Sequence, residues 1–71
     1  MGYREAREVA RIRQELRDHL MSDRHENAAE ALARLRWLAE DSPAAASAEL
    51  RSEYVRWKAR FEILAASARN N

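Results

Sequence analysis

The feature that most constrains the fold of this chain is a row of large apolar residues in its last third. Successive members of the row are four, three, four, three and four residues apart, which is the repeat of one face of an α-helix. Three of the five aromatic residues of the chain belong to it, so the rest of the protein must supply a surface that covers this face. We call the row the inner ridge, and its members are Leu50, Tyr54, Trp57, Phe61, Leu64 and Ala68.

The remaining sequence predicts an all-α protein with three helices. Between Gly2 and Pro43, the only glycine and the only proline, lie forty residues that are rich in Ala, Leu, Glu and Arg, which favour helices. The chain contains two Val, two Ile and no Thr, and its sequence has no run with the two-residue period of a strand. We therefore expect one domain over residues 1–71, with helices over about 3–21, 24–40 and 43–69.

Two breaks separate the predicted helices. The first is the helix-poor run 22–27, in which Asp23 and Glu26 have the spacing of a capping box at the start of the second helix. The second is marked by Ser42 and Pro43. Ser is a preferred N-cap residue, and Pro suits the first helical position because its missing amide proton is not needed there.

The first two helices each carry an apolar face at helical spacing. Arg13 falls within the arc of the first face, so its guanidinium must extend to solvent or meet a carboxylate. The face predicted for the first helix consists of Val9, Ile12, Leu16 and Leu20, with Ala6 alongside. The face predicted for the second helix consists of Ala28, Ala31, Leu32, Leu35, Leu38 and Ala39.

Helix lengths give two possible architectures. The third predicted helix is longer than the second, so in an antiparallel pair it extends about ten residues, or roughly 15 Å, beyond it. That extension includes Phe61 and Leu64. We expect a small three-helix bundle in which the first helix folds back on the others. The alternative is one long helix over residues 3–40 in a helical hairpin that dimerises into a four-helix bundle. Both leave apolar surface that self-association would cover.

Composition bears on stability and location. A single domain of 71 residues has a thin margin of stability, and without cysteine it has neither disulfides nor a thiolate metal site. The sequence contains no apolar run long enough to cross a membrane and no apolar segment typical of a signal peptide near Met1. We expect a cytoplasmic protein that does not bind membranes. Twelve Arg against one Lys favour a bacterial or phage origin.

The sequence offers little for catalysis or metal binding. Its two histidines, His19 and His25, do not have the three- or four-residue spacing that places two ligands on one helical face. Pairs of glutamates at the four-residue spacing lie beside arginines on polar faces, whereas an acid–base pair needs an apolar pocket. We therefore expect a protein that is not an enzyme and has no catalytic residue, no metal site and no cofactor.

The most favoured function is protein–protein interaction through an apolar helical surface. We expect a small adaptor, regulator or assembly component that forms a homodimer and binds a protein not identified by the sequence. Trp37 and Ile63 lie outside the apolar faces of their helices, so both are candidate anchors for a partner. Trp in particular is enriched at the centres of interfaces. The candidate interface residues are Trp37, Tyr54, Trp57, Phe61, Ile63 and Leu64.

Nucleic-acid binding is the alternative function. A net charge of +1 gives no strong overall field, and acidic residues are interleaved with the basic ones. Basic side chains nevertheless recur on one side of the first helix and of the third. The residues that would contact phosphates in this case are Arg4, Arg7, Arg11, Arg51 and Lys58.

Overall fold

The computed structural model describes residues 3–41 and 47–69, and the regular elements of these two ranges are all helices. The helices are α1 (Tyr3–Met21), α2 (His25–Glu40) and α3 (Ala48–Arg69). The prediction of a small all-α three-helix bundle is confirmed. The alternative of one continuous helix over residues 3–40 is wrong, because the chain leaves the helical conformation between Met21 and His25. The molecule is elongated, with extents of 42 × 18 × 14 Å.

The turn between α1 and α2 is built by Asp23 in the left-handed conformation, with a φ of 55°. The amide of Arg24 donates to the carbonyl of His19 (2.9 Å), and the amide of Asp23 donates to that of Leu20 (3.4 Å). This is the hydrogen-bond pattern of a Schellman motif, in which glycine usually occupies the left-handed position. The turn satisfies the last carbonyl groups of α1 and reverses the chain at once.

The predicted capping box at this turn is wrong. Arg24 occupies the N-cap position of α2, and within the described residues no side-chain hydrogen bond caps the helix there. Asp and Asn are the residues that tolerate the left-handed conformation best after glycine. Asp23 therefore ends α1, whereas the capping box required it to begin α2.

Helix α2 lies in the middle of the bundle and packs against both α1 and α3. Its predicted inner face is confirmed in full, since its six members are all buried. The predicted row of α1 is buried as well, whereas Ala6, which was placed alongside that row, is exposed. The core residues contributed by α1 and α2 are Val9, Ile12, Leu16, Leu20, Ala28, Ala31, Leu32, Leu35, Leu38 and Ala39.

Helix α3 begins at Ala48 and is capped by Ser47. The hydroxyl of Ser47 accepts a hydrogen bond from the amide of Leu50 (3.2 Å), and its carbonyl accepts one from the amide of Arg51 (3.3 Å). These bonds satisfy amide groups of the first turn, as an N-cap serine does. The predicted cap at Ser42 and the predicted start at Pro43 lie outside the described residues.

Candidate functional site

The inner ridge loses cover steadily along α3. Leu50 is buried, with 2% of its surface exposed, and is the contribution of α3 to the core. Tyr54, Trp57 and Phe61 are half-buried and pack against that core. Further along the ridge, Leu64 is half-buried and Ala68 is exposed. The ridge is therefore covered at its start and open towards the end of the helix.

Phe61 packs on α2 within the same chain. It shares a shallow groove of about 200 Å³ with Tyr54 and with Ala29, Leu32 and Ala33 of α2. The prediction placed Phe61 on an extension of the third helix beyond the second, and that part of the prediction is wrong. Helix α3 has 22 residues and α2 has 16, so the extension is shorter than expected and starts beyond Phe61.

A second apolar row runs along the opposite side of α3. Val55, Ala59 and Ile63 are four residues apart, and all three are exposed. Val55 is 61% exposed and Ile63 is 69% exposed. We call these three residues the outer stripe. Ile63 was predicted as a candidate interface residue and Val55 was not, although the four-residue spacing of the stripe is visible in the sequence.

Trp37 lies away from both rows of α3. It is 54% exposed and lines a shallow groove of about 260 Å³ between α1 and α2, together with Glu8, Arg34 and Leu38. The carboxylate of Glu15 on α1 forms an ion pair with Arg34 beside this groove. Trp37 thus remains accessible, but the structure separates it from the other candidate interface residues.

The groove between α1 and α3 is organised by an ion pair. Arg13 donates from Nε and from one terminal nitrogen to the two carboxylate oxygens of Glu53 (2.6 and 2.7 Å), and Trp57 Nε1 donates to one of them (3.2 Å). The Arg13 hydrogen bonds lower the pKa of Glu53 below its usual range, and the Trp57 hydrogen bond lowers it further. Of the two alternatives predicted for Arg13, solvent or a carboxylate, the structure thus shows a carboxylate partner, and it lies on a different helix.

More arginines surround this ion pair. Arg17 on α1 and Arg56 and Arg60 on α3 line the same groove, whose volume is about 300 Å³. The guanidinium of Arg60 lies over the ring of Trp57, 5.1 Å from its centroid, at the distance of a cation–π contact. We call the six residues the arginine groove: Arg13, Arg17, Glu53, Arg56, Trp57 and Arg60.

The basic residues predicted for nucleic-acid binding lie elsewhere. All five are exposed, and the arginine groove is lined by other residues. Arg51 lines a different shallow groove on α3, next to Val55 and Arg56. The arginines that share a groove were therefore not among the predicted site residues. Their signal was a pair of arginines four residues apart on each helix, but the contact between the two pairs depends on how α1 and α3 pack.

The two histidines lie near the turn between α1 and α2. His19 Nδ1 accepts a hydrogen bond from Arg24 Nε (2.9 Å), and His25 Nδ1 is buried without a hydrogen-bond partner among the described residues. In those residues, no three His, Cys, Asp or Glu side chains are arranged to hold a metal ion. None of the three described helices is both long and apolar enough to cross a membrane.

Comparisons with protein-family models, with curated proteins and with solved structures gave no match for this chain.

Proposed function

We propose that this protein is a protein–protein interaction module that associates with a second copy of itself through α3. The observation that supports the proposal is that α3 carries apolar side chains on two opposite faces. The inner ridge packs on α2, while Val55 and Ile63 of the outer stripe are exposed. A helix with apolar residues on opposite sides is usually packed against other structure on both of those sides.

The outer stripe has a shape that suits self-association. Residues four apart on a helix form a ridge that fits into the corresponding groove of another helix. The small side chain of Ala59 lies between the two larger ones, so a neighbouring helix can approach closely at that point. In a pair related by a two-fold axis, an antiparallel arrangement centred on Ala59 would place Val55 against Ile63 of the second copy.

The thin margin of stability supports the same proposal. A helical domain of this size without disulfides or a metal gains stability when a second copy covers apolar surface. Such a dimer would act by presenting the remaining faces to other proteins.

The test is molar mass by light scattering over a concentration series. We expect the wild-type protein to shift from monomer to dimer as its concentration rises, and Ile63→Gln to shift about tenfold higher in concentration, since loss of an apolar contact in an interface costs on the order of 1–2 kcal/mol. Met21→Gln is the matched control, because Met21 is 81% exposed but lies on α1.

Two results would contradict the proposal. A wild-type protein that stays monomeric at every concentration would show that the outer stripe does not mediate self-association. Equal effects of Ile63→Gln and Met21→Gln would show that exposed apolar surface in general, and not the stripe, drives association. Circular dichroism of each variant checks that the helices are retained.

A further inference from the structure

We propose that the arginine groove is a docking site for an acidic helical segment of another protein. The segment would lie along α1 and α3 and place carboxylates against the guanidinium groups of Arg17, Arg56 and Arg60. The inference extends the proposed function to a second partner and a second surface. It does not require the chain to form a dimer.

The charge of the groove is the first support. Four guanidinium groups and one carboxylate line a volume of about 300 Å³, although the whole chain has a net charge of only +1. Glu53 is held by Arg13 and Trp57, with hydrogen bonds to both. Its single negative charge leaves an excess of positive charge in the groove. Such an excess attracts a segment of opposite charge and orients it.

The spacing of the arginines is the second support. Arg13 and Arg17 are four residues apart on α1, and Arg56 and Arg60 are four residues apart on α3. Four residues of helix rise about 6 Å, so each of the two helices places its second positive charge about one turn after its first. A helix with Glu or Asp at every fourth position repeats its negative charge at the same distance. Arg–carboxylate pairs also allow two parallel hydrogen bonds, which fixes the register.

Part of the groove is already ordered. Arg60 is held over the ring of Trp57, and the indole nitrogen of Trp57 is held by Glu53. Side chains that are ordered before binding lose less conformational entropy when a partner arrives.

The same details favour an acidic protein over a nucleic acid. Single strands are bound by aromatic rings on which bases stack, but Trp57 packs against the core and carries Arg60 over its ring. The positive charge of the groove also repeats only once on each helix, over about 6 Å, whereas a nucleic acid follows a continuous basic track.

The test uses a fluorescently labelled synthetic peptide of about 20 residues, long enough to form a helix on binding. It carries Glu at every fourth position of one face and Ala or Leu elsewhere, and a matched peptide carries Gln at the Glu positions. Binding is measured by fluorescence anisotropy at low and at moderate salt. The protein variants are the double substitution Arg17→Gln with Arg56→Gln and the control Arg4→Gln with Arg11→Gln.

Both double variants remove two positive charges from exposed arginines, so they change the net charge equally. We expect the Glu peptide to bind the wild-type protein and the Gln peptide to bind at least about tenfold more weakly. The groove variant should lose about tenfold in affinity and the control less than about threefold, because long-range attraction alone is screened within roughly 10 Å at moderate salt. Circular dichroism confirms that both variants are folded.

Three outcomes would overturn the inference. They are no binding of the Glu peptide, equal losses in both double variants, and tighter binding of a labelled single-stranded oligonucleotide that depends on Arg17 and Arg56. The last outcome would show that the groove binds the phosphate groups of a nucleic acid instead. Repeating the titration with Ile63→Gln separates this inference from self-association, because peptide binding that survives in a monomeric variant supports the groove on its own.

Discussion

The α1–α2 hairpin and α3 differ in how fully they bury their apolar residues. Of the eleven buried apolar side chains among the described residues, ten belong to the hairpin and one, Leu50, belongs to α3. Yet α3 carries three of the five aromatic residues of the chain. The hairpin therefore forms the core, while α3 adds a large apolar surface that the chain covers only in part.

This difference shows that apolar content and burial need not coincide in a small domain. Helix α2 has helices on two sides, so small residues such as Ala31 and Ala39 suffice to fill its inner face. Helix α3 has α2 on one side and uses large residues to reach it. The surface that α3 leaves exposed is where we place the proposed interaction.

The largest expected effect is a contrast between Leu35→Ala and Phe61→Ala. Leu35 is fully buried, and its truncation should cost about 3 kcal/mol of unfolding free energy, a large part of the stability of such a domain. Phe61 is half-buried, so its truncation should cost about 1–2 kcal/mol, less than the 3–5 kcal/mol of a fully buried Phe.

Urea unfolding followed by circular dichroism, at a concentration where the protein is monomeric, measures both values. Equal losses of unfolding free energy at the two positions would contradict this prediction, because Phe61 would then be covered as fully as Leu35. A cost at Phe61 that rises with protein concentration would instead place the inner ridge in the interface between two copies.

A smaller effect is expected at the ion pair that joins the two regions. Because the pKa of Glu53 is lowered from 4.5 in the folded state, its stabilising contribution is present above pH 4.5 and is lost as the pH falls through the folded-state pKa. Glu53→Gln should therefore reduce the free energy of unfolding by about 1 kcal/mol at neutral pH, as expected for a partly exposed ion pair with good geometry.

The measurement is urea unfolding of both proteins over a pH series. The difference between wild type and Glu53→Gln should shrink as the pH falls below 4.5. Glu62→Gln, at an exposed position of the same helix, is the control and should change stability by less than about 0.5 kcal/mol. A pH-independent difference at Glu53 would mean that its charge contributes nothing to holding α3 against α1.

The smallest effect is expected at the hairpin turn. Asp23 has a φ of 55°, and glycine adopts that conformation without the steric cost that a side chain brings. Asp23→Gly should raise the free energy of unfolding by about 0.5 kcal/mol, while Asp23→Ala should lower it by a similar amount. Thermal unfolding reports both changes. A lower melting temperature for the glycine variant would contradict the left-handed turn.

The helical faces could be predicted because they depend on spacing within one helix. The inner face of α2 was predicted in full, from Ala28 to Ala39, since residues three and four apart share a face whatever the helix packs against. The turn was harder to predict. The spacing of Asp23 and Glu26 fits a capping box, but Asp also tolerates the left-handed conformation that ends a helix. In the structure Asp23 adopts that conformation and ends α1.

The candidate sites were predicted less well because they depend on how helices pack. The inner ridge was visible in the sequence, but its decreasing burial depends on where α3 begins relative to α2. Arg13 was expected to extend to solvent or to meet a carboxylate, and the sequence could not identify Glu53, forty residues away, as its partner. The arginine groove requires the register of α1 against α3, which no local pattern contains.

The elongated shape has a consequence for the ratio of surface to mass. A folded monomer of 8.3 kDa is expected to expose about 4,600 Å², whereas this chain exposes 5092 Å². The excess of roughly 500 Å² is of the same order as the share, about 800 Å², that one partner contributes to a stable interface. A body only 14 Å thick thus exposes more surface per unit mass than a sphere would, and that surface is available for contact with a second molecule.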